Sequence, residues 1–167
     1  MRVRLDITEP SVTAMKANHS ANVIQALVSG FAGAIALTLV HQAARKLTPN
    51  APRMDILGMR GLRKILDAAD APQPDRQTLY NATMAGDLFS NGLYYSLVGS
   101  GEDAWVRGAA LGIAAGVGGV VLPGPLGLGD GPSNRTPQTQ LMTVAWYTLG
   151  GLVAAGVSRW WSAAGWR

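Results

Sequence analysis

A chain of 167 residues, 48% apolar and only 14% charged, is long enough for one compact unit. It has no cysteine, which excludes disulfides, thiolate catalysis and thiolate metal sites. The net charge of +4 could indicate nucleic-acid binding, but the charges lie between long uncharged runs, as they do in the basic loops that flank membrane helices. We therefore expect an integral membrane protein that does not bind nucleic acid.

The first predicted membrane span covers residues 21–40. Residues 1–20 precede it as a polar tail without an apolar core, so we do not expect a cleavable signal peptide there. The span is long enough to cross a hydrocarbon core of ~30 Å at a rise of ~1.5 Å per residue. His41, Arg45 and Lys46 follow it directly as a basic end, and we expect His41 to be an interfacial residue.

An amphipathic helix is predicted over residues 53–69, in the loop after the first span. Its apolar positions recur at helical spacing, at Met59, Leu62, Ile65, Leu66 and Ala69. Arg60, Arg63 and Lys64 occupy another face, as in a helix that lies on anionic lipid and binds headgroups. The alternative is a helix that caps the bundle or contacts a partner, and the pattern fits both.

The second predicted span, residues 79–98, carries a polar stripe. The stripe consists of Thr83, Asp87, Ser90, Asn91 and Tyr94. Asp87 lies about 12 Å inside the span, where an unsheltered acid costs at least ~2.5–3.5 kcal/mol. We expect it to point inward, and depth matching places Tyr147 of the last span near it. Asp87 is then either a proton or cation site on a transport pathway or a structural contact between two spans.

The third and fourth spans are predicted at residues 105–122 and 140–161. The connection between them is rich in Gly and Pro and is interpreted as a plain loop, with a shallow re-entrant turn as the alternative. Small residues recur every four positions in the first and third spans, at Ala26, Gly30 and Ala34 and at Gly108, Gly112 and Gly116. Such seams let helices approach closely, within one protomer or between copies.

The predicted fold is a single membrane domain, 1–167: all-α, with four transmembrane helices and one interfacial amphipathic helix in the first cytoplasmic loop. The loops between the first and second and between the third and fourth spans carry eight Lys and Arg residues, against six on the other side. The positive-inside rule then predicts a multi-pass inner-membrane protein with both termini on the outer side.

No catalytic motif is present, so we do not expect an enzyme. His19 and His41 would lie about 33 Å apart along one helix, too far to share a metal ion, and no metal or cofactor is expected. The leading hypothesis is a small oligomeric transporter or channel whose pathway is lined by the polar stripe. The alternative is a non-catalytic accessory or assembly subunit of a larger membrane complex, and a lipid-modifying enzyme comes third. The expected partners are membrane lipids and either further copies of the chain or other subunits.

Overall fold

A computed structural model describes residues 12–165, with side chains from residue 22 onward, so the predicted tail lies largely outside the described part. Residues 12–165 form helices and contain no strand. The helices are α1 (Val12–Leu47), α2 (Met54–Ala68), α3 (Arg76–Ser96), α4 (Ala104–Val121), α5 (Gly131–Asn134) and α6 (Pro137–Ala163).

Three helices in the described range are long and apolar enough to cross a membrane. The three segments are Asn22–Leu47, Ala104–Val121 and Pro137–Ala163. The described residues therefore form an all-helical bundle in which three helices could span a membrane, which agrees with the helical membrane class predicted from the sequence. Helix α3, the predicted second span, is not among them, because its polar stripe lowers its hydropathy.

Helix α1 is longer than its predicted span at both ends. It begins at Val12, within the predicted tail, and continues to Leu47, seven residues beyond the predicted end at Val40. His41 consequently lies inside the helix, and only 9% of it is exposed. His41 therefore packs against neighbouring helices, and its expected place at the membrane interface stays a prediction.

The small-residue seams are used within the protomer. A Cβ on Gly112 of α4 would lie 2.5 Å from the Cα of Thr148 in α6, and one on Gly116 would lie 2.6 Å from the Cα of Val144. Helix α1 approaches α6 in the same way, since a Cβ on Gly33 would lie 2.5 Å from a backbone oxygen of α6. In lipid such close backbone contact supplies the van der Waals attraction that holds helices together.

The bundle has α1 and α6 at its centre, with α3 packed on α1 and α4 packed on α6. Its apolar core is formed mainly by Ala34, Leu37, Tyr95, Val98, Ala104, Tyr147, Ala154 and Ala155. At one end Gln25 Nε2 donates to the Ser158 carbonyl at 2.8 Å, and Ser158 Oγ donates to the Gly99 carbonyl at 2.6 Å. These bonds join α1, α6 and the α3–α4 turn, while α2 lies against α3 at the opposite end.

Candidate functional site

Asp87 lies in the middle of α3, and the start of that helix fixes its position. Asp75 caps the helix by accepting from the backbone nitrogens of Gln77 and Thr78 at 2.8 and 3.1 Å. These bonds and one from the Thr78 hydroxyl hold the pKa of the Asp75 carboxyl below its usual value. About three turns later, Asp87 is half-buried, and Asn91 Nδ2 donates to its Oδ1 at 3.0 Å. The Asp87 carboxylate forms no other hydrogen bond with the described side chains.

Beside Asp87 lies a small cavity of about 20 Å³. A cavity of this size holds about one water molecule. The polar and ionisable residues along its wall are Thr38, His41, Gln42, Arg45, Asp55, Thr83, Asp87 and Tyr147. They come from α1, α2, α3 and α6, so the cavity lies where four helices meet.

Three buried polar atoms of the cavity wall have no hydrogen-bond partner among the described residues. They are Thr38 Oγ1, His41 Nε2 and Thr83 Oγ1. Leaving one such atom unsatisfied costs about 1–3 kcal/mol. Three of them around one cavity indicate that it is built for a polar occupant.

Helix α2 closes the cavity through a glycine. A Cβ on Gly58 would overlap Cγ2 of Thr83, so only glycine lets α2 come this close to α3. The close approach leaves Thr83 with 7% exposure and its hydroxyl without solvent.

An ion cluster separates the cavity from solvent at the α2 end. Arg53 Nε and Nη2 each donate to Asp55 at 2.9 Å, and Arg45 Nη1 lies 3.4 Å from Asp55 Oδ2. Burial alone would raise the pKa of the Asp55 carboxyl, but the Arg53 hydrogen bonds and the charges of Arg45 and Arg53 outweigh it and hold the pKa below its usual value. Asp55 also lines an open cleft of about 580 Å³ on the surface. It is therefore an ionised residue between the cavity and solvent.

A second space, an open groove of about 530 Å³, lies on the other side of Asp87. It runs between α2, α3 and α4, and its wall is mostly apolar, with Leu57, Ala115, Leu122 and Leu126 among its residues. Asp87, Met54 and Tyr147 line both the groove and the closed cavity. Asp87 thus stands between an open apolar groove and a small cavity whose wall carries several polar side chains.

The residues of the predicted stripe lie at different places around this site. Thr83 and Asp87 line the cavity together with Tyr147, and Asn91 binds Asp87. The other two do not reach the cavity wall. Tyr94 lines the groove and donates to the Leu111 carbonyl at 3.0 Å, while Ser90 is exposed and bonds the backbone carbonyl of Asp87 at 3.2 Å.

Sequence reasoning missed His41, Thr38 and Asp55 as members of this site. Thr38 and His41 are three residues apart, so they share a helix face. The sequence shows this spacing, but it indicates a shared face only if α1 continues beyond residue 40, as it does in the structure. The ring of His41 packs edge-on against Trp146 and Tyr147, with centroid distances of 5.2 and 5.8 Å. An imidazole therefore lines the same cavity as Asp87, although no basic residue was expected at that depth.

Two of the three predicted headgroup-binding residues are bound to the chain itself. Arg60 Nη1 donates to the Leu128 carbonyl and Lys64 Nζ to the Leu126 carbonyl, both at 2.7 Å. Arg63 is exposed, and its side chain forms no hydrogen bond with the described residues. These two hydrogen bonds, from here on called the clasps of α2, hold the α4–α5 loop against that helix.

The described part of the chain contains no group of three or more His, Cys, Asp or Glu residues suited to a metal ion. Comparison with protein-family models, curated proteins and solved structures finds no match for this chain.

Proposed function

We propose that this chain is a small transporter or channel that moves protons or small cations across a membrane as a homo-oligomer, with Asp87 on the pathway. The observation that carries the proposal is the position of Asp87, which lines both an open groove and a small cavity with several polar side chains on its wall. Ionisable residues inside membrane bundles commonly mark ion pathways. The free-energy cost of placing such a side chain in the hydrocarbon core makes it rare at membrane positions without a function.

In this proposal α3 is a fourth span. Its 21 residues extend over about 31 Å, enough for the hydrocarbon core. It packs along α1, where a Cβ on Gly30 would overlap the backbone of Gly92. Its outer face nevertheless exposes Asn81 and Ser90. A second copy covering this face would shelter both polar side chains from lipid, which supports an oligomer.

The distribution of basic residues supports an orientation. With α3 as a span, the segment between α1 and α3 and the adjoining helix ends carry seven of the 14 Lys and Arg residues and would face the cytoplasm of an inner membrane, with both termini outside. Arg63, the unbound cation on α2, would then lie where anionic headgroups are found.

Flux measurements test the proposal. Purified protein in proteoliposomes should carry protons, Na⁺ or K⁺ down an imposed gradient, and Asp87→Asn should abolish that flux while leaving the protein folded. Asp70→Asn is the matched control, since Asp70 is exposed with φ +49° and Asn accepts that conformation. A wild-type protein without flux under all three gradients would reject the transport function.

The second candidate function, an accessory or assembly subunit, is favoured by one feature. The groove is open and mostly apolar, and Leu122 and Leu126 at its edge are 53% and 54% exposed. A partner helix would fill such a groove. A monomer that co-purifies in detergent with other subunits supports this function, whereas a symmetric homo-oligomer supports transport.

A further inference from the structure

The geometry points to the proton as the transported ion, passed between Asp87 and His41 through one water molecule held in the small cavity that both residues line. The inference rests on the proposed transport function and names the substrate of that same site.

The size of the cavity excludes a hydrated metal cation. About 20 Å³ accommodates about one water-sized molecule. A dehydrated hard cation would need several oxygen ligands in a shell, whereas the wall atoms that lack a partner among the described residues are only two hydroxyl oxygens and one imidazole nitrogen. A proton needs only a hydrogen-bonded carrier.

The unsatisfied atoms match the bonding capacity of one water. A buried water makes about three hydrogen bonds, and three buried atoms of the wall lack a partner among the described residues: Thr38 Oγ1, His41 Nε2 and Thr83 Oγ1. Hydroxyls both donate and accept, and an imidazole nitrogen does either according to its protonation. Asp87, which lines the same cavity, is the acid that this water would touch.

The charges around His41 favour the passage of a proton between His41 and Asp87 over the addition of a further proton to the site. The charged and titratable groups that line the cavity with His41 are Arg45 from α1, Asp55 from α2, Asp87 from α3 and Tyr147 from α6. Asp55 is shared between Arg45 and Arg53, so these three residues carry a net charge of +1. With one proton on either Asp87 or His41 the site keeps that net charge, whereas a second proton would raise it to +2.

The transfer conserves atoms and charge. The carboxylic acid of Asp87 gives its proton to the water, and the water gives one of its own protons to His41 Nε2. The O–H bond of the acid breaks, an N–H bond forms, and the water is restored. Asp87 becomes a carboxylate and His41 an imidazolium. Asp55, which lines both the cavity and the open cleft, is the next ionised group toward solvent.

Parallel flux assays in phosphatidylcholine–phosphatidylglycerol vesicles test the inference. Proton flux is followed with an entrapped pH dye and Na⁺ and K⁺ flux with tracers, for wild type and for His41→Gln, whose amide cannot carry the proton. We expect proton flux alone in the wild type and at least a tenfold loss in His41→Gln. Wild-type levels of proton flux in a folded His41→Gln protein would overturn the inference. Na⁺ or K⁺ flux through the wild-type protein without proton flux would also overturn the inference, but it would leave the proposed transport function in place.

A more conservative variant tests the water-mediated proton transfer if His41→Gln does not fold. Thr83→Val keeps the shape of the side chain and removes one of the three polar atoms around the water. We expect it to lower proton flux several-fold. Thr148→Val is its control, because the Thr148 hydroxyl bonds its own helix at Val144 and does not line the cavity. Equal flux in Thr83→Val and Thr148→Val would overturn the role of the water.

Discussion

Gly58 of α2 lies against Thr83 of α3 so closely that a Cβ on the glycine would overlap the threonine methyl group. Thr83 is β-branched and therefore stiff at χ1, so it cannot swing aside. Because Thr83 lines the cavity beside Asp87, this contact bears on how closely α2 packs over that side of the cavity. A single methyl group at position 58 is consequently a sharp probe of the closure.

Gly58→Ala should push α2 away from α3 and lower stability by about 1–3 kcal/mol, the usual cost of overpacking. Thermal unfolding in detergent measures the effect. Gly86→Ala is the control, because nothing lies within 4 Å of a Cβ at Gly86 of α3 and Ala is the better helix former. Equal melting temperatures for the two variants would contradict the close contact at Gly58.

Gly112→Ala should separate α4 from α6, with a loss of about 1–3 kcal/mol or more. The added Cβ would meet backbone atoms of Thr148, which cannot rotate away. Gly118→Ala on the same helix meets only the end of the Leu122 side chain at 3.4 Å and should be nearly neutral. Unfolding scans of the two variants in parallel check the prediction, which fails if Gly118→Ala is the more damaging.

The ion cluster gives the stability a dependence on pH. Because Asp55 has a lowered pKa in the folded protein, its contribution is fully present above the unfolded pKa of about 3.9 and is lost as pH falls through the folded value. Asp55→Asn should cost about 1.5–3 kcal/mol at pH 7, the value of a charged hydrogen bond, and flatten the acid side of the stability profile. Unfolding measured from pH 7 to pH 3 tests both, with Asp70→Asn expected to follow the wild type.

Removal of either clasp between α2 and the α4–α5 loop should free the loop backbone. Arg60→Ala and Lys64→Ala each remove a donor to a loop carbonyl, so hydrogen exchange in residues 124–130 should become faster. Arg63→Ala, which removes no described hydrogen bond, should leave that exchange unchanged. Faster exchange in Arg63→Ala than in the other two variants would contradict the assignment.

The sequence predicts the helices better than it predicts their surroundings. Long uncharged runs identify α1, α4 and α6, and counting depth from a common end brings Asp87 and Tyr147 to the same cavity. Ser90 shows the limit of this reasoning. It is three residues from Asp87 and so about 60° around the helix, on the edge of the stripe next to the exposed face.

Contacts between distant residues could not be read from the sequence. The basic face of α2 fits a lipid surface and a loop of carbonyls equally well, and the loop that Arg60 and Lys64 bind lies more than sixty residues further along the chain. His41 was missed for a different reason. Hydropathy identifies where a helix can cross a membrane, but neighbouring helices decide how far beyond that point it continues.

The clasps of α2 also join the two halves of the chain. Helix α2 follows α1 and precedes α3, and the ion pair between Asp55 and Arg45 ties it to α1. Arg60 and Lys64 nevertheless bind the α4–α5 loop, and Arg53 N, just before the helix, donates to the Pro132 carbonyl at 2.9 Å. Helix α2 therefore connects the N-terminal helices to the C-terminal ones. An engineered disulfide from α2 to the α4–α5 loop should only reinforce a connection that is already present and should leave the fold unchanged.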